Sequence, residues 1–114
     1  MNYKVEIWVS FNYGAQSLVF SKTMTLPFMP FFGLWITENQ NGVENIIKLE
    51  NDDYTISIID YNVNKNLVYI NCRNFWKYQV SDETIDDTLN AFLTTDWERH
   101  DSTDINVLKS LMKK

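Results

Sequence analysis

The chain predicts an α+β domain in which the strands come first and the helices last. Three observations carry this. Period-two alternation of apolar residues dominates residues 3 to 78, clusters of turn-forming residues break it at short intervals, and from Ser81 onward the apolar spacing becomes helical. The expected architecture is an antiparallel β-meander or small barrel of about five to six strands over residues 3–78, a packed helix over about 82–94, and a short C-terminal helix over about 103–113. With 114 residues and 45% hydrophobic content, a single domain spanning 1–114 has the apolar material for one core.

Each element has a local reason. From Tyr3 to Phe11 the odd positions Tyr3, Val5, Ile7, Val9 and Phe11 are apolar, with Trp8 the exception on the other face. Asn12-Tyr13-Gly14-Ala15-Gln16 supplies a turn, and Leu18, Phe20, Met24 and Leu26 line one face of a second strand, which completes a hairpin. Lys22 interrupts that apolar face, which marks either a bulge or a cation aimed into a pocket. Strands follow over residues 34–38, 43–50, 54–63 and 67–78, separated by Asn39-Gln40-Asn41-Gly42, Asn51-Asp52-Asp53 and Asn64-Lys65-Asn66. Ser81 or Asp82 caps a helix whose Ile85, Leu89, Phe92 and Leu93 form one apolar stripe. In the last helix Ile105, Leu108, Leu111 and Met112 are the apolar positions.

One stretch fits neither period. Residues 26 to 35, LPFMPFFGLW, carry no charge, two prolines, three phenylalanines and a tryptophan. Pro27 and Pro30 each lack a ladder donor, so the segment reads as a crossing or an edge. Its rings either plug one end of the sheet or stay outside as an apolar patch that marks a partner or ligand site.

Charge is distributed unevenly. Residues 1–81 hold seven acids and six bases, residues 82–104 eight acids and one base, and residues 105–114 three bases, giving segment charges of −1, −7 and +3 for the net −5. First-turn acids suit a helix dipole and a solvated face; a steering field for a cationic partner is the competing reading. Two arginines and a pI near 4.7 argue against nucleic acid, which relies on Lys and Arg to displace phosphate counterions.

The usual chemistries lack their residues. Zinc needs about four N or S ligands, and the chain has one Cys and one His. Asp96, Glu98, Asp101 and Asp104 near His100 miss the calcium-loop spacing and its glycine, and the three glycines are too scattered for a phosphate loop. Cys72 and His100 form a nucleophile pair only if the fold joins them, and Cys72 lies on an apolar strand face. No cofactor, metal site or catalytic residue is therefore expected. A single cysteine, no N-glycosylation sequon and no signal-peptide or membrane-span pattern fit the cytoplasm, without membrane attachment.

The function expected from these observations is binding of another protein with a basic surface, in the manner of a stoichiometric inhibitor such as a toxin immunity protein or a phage-encoded antagonist of a host defence. The contact residues expected on that reading are Asp82, Glu83, Asp86, Asp87, Trp97, Glu98 and Trp8, the acids steering and the tryptophans anchoring. The alternative is a small-molecule-binding barrel with Phe20, Phe28, Phe32 and Trp35 around the ligand and Lys22 as its anion contact.

Overall fold

The computed structural model describes residues 2–113. The elements run β1 (Tyr3–Tyr13), β2 (Gln16–Leu26), β3 (Trp35–Gln40), β4 (Val43–Lys48), β5 (Thr55–Asn62), β6 (Leu67–Phe75), α1 (Asp82–Leu93), β7 (Glu98–Arg99) and α2 (Ile105–Leu111). The α+β class and the strands-first order are as the sequence predicts.

The sheet itself is neither a meander nor a barrel. Five strands lie in the order β5-β6-β1-β2-β7 and stay open, while β3 and β4 form a separate two-stranded hairpin. β1 pairs antiparallel with β2 but parallel with β6, from Val5 opposite Val68 to Asn12 opposite Phe75. A parallel neighbour needs a long crossover. Here the β1–β2 and β5–β6 pairs are joined by the stretch from residue 27 to residue 54, and the β3–β4 hairpin is carried within it. The hairpin turns at Asn41-Gly42, both at positive φ (53° and 79°), the mirror-image turn that matches strand twist.

Alternation sorts the residues onto two faces. Val5, Ile7 and Val9 of β1, Leu18 and Phe20 of β2, and Val68, Ile70 and Cys72 of β6 are all buried on one face. Ile36 and Ile47 of the hairpin, Ile85, Leu89 and Phe92 of α1, and Leu108 of α2 enter the same cluster. Phe92 is central, stacked on Phe20 at 4.5 Å between ring centroids and edge-on to Trp97 at 5.1 Å. Ser81 caps α1 by accepting from the Thr84 amide, and Asp104 caps α2.

Polar clips fasten the layers together. Lys22 stands in unbroken register opposite Ile7, so there is no bulge at that position. Its ammonium donates to Glu38 at 2.6 Å on the hairpin and to Asp96 at 2.8 Å after α1. Glu38 also accepts from Trp97 Nε1 at 3.1 Å, and Asn45 of β4 donates to the Ala91 carbonyl of α1 at 2.7 Å. At the end of β7, Arg99 grips both oxygens of Asp101, whose Oδ1 also accepts from the Val19 amide of β2 at 2.7 Å.

These carboxylates link stability to pH. Burial pushes the Asp101 carboxyl up, but the Arg99 guanidinium and the Val19 and Thr103 amides outweigh it and hold the group below its ordinary 3.8. Lys22 and Gln40 lower Asp96 in the same way. As pH falls, the unfolded chain therefore takes up these protons before the folded chain does. The stability they contribute is complete above about pH 4 and disappears as the pH drops through the folded values, so the urea midpoint is expected to fall below about pH 4. Urea titrations of Asp101→Asn should give a flatter profile across that range; an unchanged slope would remove Asp101 from the account.

Candidate functional site

The segment from Pro27 to Leu34 has no strand or helix, and its rings point outward. Phe31, Phe32 and Trp35 are 55%, 56% and 54% exposed, with Phe28 and Met29 also exposed. Their backbone is nonetheless fixed. The Leu34 amide donates to the Phe31 carbonyl at 3.2 Å, closing a tight turn whose third residue, Gly33, takes φ 98°. Gly33 N–H donates to Leu49 O at 2.7 Å, and Leu49 N–H returns a bond to Leu34 O at 2.9 Å. Pro30 is buried, which pins the middle of the segment while Phe28 and Phe31 lean on each other outside it. The prolines and the glycine thus hold apolar rings in water on a defined backbone. The alternative in which these rings plug the sheet is not what the chain does.

The patch continues onto the hairpin. Strand phase puts Trp35, Ile46 and Lys48 on the outer face of β3–β4, and the Lys48 ammonium sits over the Trp35 ring at 4.5 Å. Ile46 and Tyr54, both exposed, meet at a neighbouring depression floored by Ile47 and Cys72.

The residues expected to contact a partner fall into four groups. Trp97 is 6% exposed and belongs to the core, so it is not an outward anchor; its ring is enclosed by Phe92 and its indole N–H is spent on Glu38. Asp86 and Asp82 are paired with Lys109 at 2.8 Å and Lys113 at 3.2 Å, so the positive C-terminal segment offsets half of the acidic ridge on α1. Glu83 and Asp87 make no ion pair among the described residues, and Glu98 stands 4.0 Å from His100. Trp8 is half-buried on the opposite sheet face, its ring 4.4 Å from that of His100.

The barrel pocket expected from the sequence does not form. Phe20 is fully buried under Phe92, Lys22 is taken by the chain's own carboxylates, and Phe28, Phe32 and Trp35 lie outside. These five residues share no cavity, because an open sheet has no interior. Cys72 and His100 do not meet either. Cys72 faces the core, where burial pushes its thiol up from 9.0, and His100 packs on the other face, its Nε2 2.6 Å from Ser21 Oγ. Among the described residues no group of three or more His, Cys, Asp or Glu is placed to hold a metal ion, and no helix is long and apolar enough to cross a membrane.

The exposure of Trp35 had a signal in the sequence. It is in phase with the polar Thr37 and Asn39, whereas Ile36 occupies the alternate, inward phase. No protein-family model, curated protein or solved structure matches this chain.

Proposed function

We propose that the protein is a binding module for another protein, docking through the 28–35 loop and the adjoining outer face of β3–β4. One observation carries the reading: Phe28, Met29, Phe31, Phe32 and Trp35, five large apolar side chains within eight residues, are held exposed on a hydrogen-bonded loop. Isolated exposed hydrophobes are ordinary, whereas a contiguous ring-rich patch on a fixed backbone has the make-up of an interface centre. Lys48 at its edge favours a partner with an apolar cleft and a carboxylate beside it. Glu83 and Asp87 supply the remaining field for steering towards a basic region of the same partner. A stoichiometric inhibitor working in the cytoplasm, in the manner of an immunity or anti-defence protein, is the class this reading favours. A lipid surface is the weaker fit, since anionic headgroups repel a chain of net charge −5.

The test is affinity capture from the native host with the wild-type chain and with Phe31→Ser, Phe32→Ser and Trp35→Ser combined. All three side chains are exposed, so the variant is expected to unfold with the wild type, while recovery of the specific prey falls at least about tenfold. Equal recovery by both chains would overturn the assignment of the patch. Binding of the wild type to anionic vesicles, lost in the variant, would replace the protein partner with a membrane.

A further inference from the structure

Neither helix enters the second face of the five-stranded sheet, on which His100 packs against Trp8 and Ser21. Ile36 and Ile47 of the hairpin, Ile85, Leu89 and Phe92 of α1 and Leu108 of α2 enter the one core cluster, and Trp8, Val19, Tyr69 and Phe75, in the opposite phase, lie outside it. On this face a groove of about 350 Å³ opens along β1 and β6. Its cause is a size difference: Ser10, a small residue, stands between Trp8 and Asn12 on β1, with Arg73 and Phe75 beside it on β6 and Val19 on β2.

The polar groups around the groove divide into satisfied and free. Asn12 donates to Ser10 Oγ at 2.9 Å and Asn74 O at 3.1 Å and accepts from Ser17, so Ser10 and Asn12 are occupied within the chain. The side chains of Asn71 and Arg73, two apart on β6 and so on one face, make no hydrogen bond or ion pair with the described residues. Arg73 pairs across the sheet with Ser10 and Ile56, and its diagonal neighbours on β1 are Trp8 and Asn12. Not one of these is a carboxylate, in a chain with fifteen acids; the other arginine, Arg99, is paired with Asp101 and donates to the Thr103 carbonyl.

Trp8 is positioned in advance. Its ring lies against His100, which Ser21 holds through Nε2 and the Val19 carbonyl holds through the His100 backbone N–H at 2.8 Å. A flat ring, a free guanidinium fork and a free amide thus converge on one shallow cavity. A guanidinium matches a carboxylate with two parallel hydrogen bonds, and an indole presents a stacking face to an aromatic ring. Cavities of this size with a few convergent polar groups are the usual form of small-ligand sites.

We propose that this groove binds a small aromatic carboxylate, the carboxylate on Arg73 with Asn71 beside it and the ring against Trp8. The site is separate from the 28–35 loop and stands whether or not that loop docks a protein.

The test uses the full chain, 2-naphthoate as probe and 2-naphthamide as its uncharged counterpart, followed by amide and indole chemical shifts. Saturable shifts at Ser10, Asn71, Arg73 and the Trp8 indole are expected, with a Kd of about 1 mM or tighter and at least about tenfold weaker binding of the amide. Arg73→Gln, an exposed change that should leave the spectrum otherwise intact, is expected to lose at least about tenfold, and Arg73→Lys to keep only part of the affinity. Absence of saturation, equal affinity for the amide, unchanged binding by Arg73→Gln, or shifts confined to another region would each overturn the proposal.

Discussion

Lys22→Ala is expected to lower the free energy of unfolding by about 2–4 kcal/mol, seen as a lower urea midpoint at unchanged slope. The side chain is only 10% exposed and its ammonium joins three parts of the fold: β2, which carries it, Glu38 on the hairpin, and Asp96 after α1. Burial works against its charge, yet bonds to Asp96 and Glu38 prevail and hold its pKa above 10.5, so the ammonium stays charged across the neutral range. Removing it leaves Glu38, itself 20% exposed, with Trp97 Nε1 as its remaining side-chain donor. A carboxylate stranded in that way costs more than the pair contributed when intact. The cost can be separated: Lys22→Met keeps the apolar stem and still strands the carboxylate, while Lys22→Met with Glu38→Gln removes both charges and should recover at least half of the loss. A loss below about 0.5 kcal/mol in Lys22→Ala would place the cluster among solvated surface pairs, which contribute little.

Lys22 also marks how far the sequence could be read. Its conflict with the apolar phase of β2 is plain in the residues, but the choice between bulge, pocket and clip depends on Glu38 and Asp96, 16 and 74 positions away. Element type and approximate limits were legible for all elements but the two-residue β7, because they rest on local period and turn chemistry, whereas β7 exists only by pairing with β2. Helix α1 begins after Ser81, and the Asn41-Gly42 turn joins β3 to β4. The pairing of β1 with β6 was not legible, since a run of strands with short turns suggests sequential neighbours, and only side-chain fit across the core selects the parallel arrangement. The same limit applies to the rings. Trp97 sits beside acids and is buried, whereas Trp35 sits among apolar residues and is exposed. Composition around a tryptophan says little about which face it takes; the strand phase of β3 says more. Of the −7 segment, the pairing of Asp82 and Asp86 with lysines of the C-terminal segment follows from how α2 packs, which no local pattern encodes.

The second large effect is expected at Phe20. This residue is fully buried at the middle of β2, opposite Val9, with its ring stacked on Phe92 at an interplanar angle of 10°. Truncation removes the ring's transfer energy and leaves a void that sheet, α1 and Trp97 cannot all close upon, so Phe20→Ala is expected to cost about 3–5 kcal/mol. Against a total of about 5–15 kcal/mol for a domain of ordinary stability, that loss corresponds to a fall in Tm of roughly 10–20 °C. Phe20→Leu, which keeps most of the volume, should cost under about 2 kcal/mol. Phe92→Ala should resemble Phe20→Ala, and the double variant should lose less than the sum, because the stacked pair is then removed once. The measurement also decides the role of Phe20. A ring lining a ligand cavity tolerates truncation, since the space beside it is already open. A ring at the centre of a filled core does not. A loss below about 1 kcal/mol for Phe20→Ala would mean that the space beneath α1 is not closely packed, and the assignment of Phe92 as the centre of the core would fall with it.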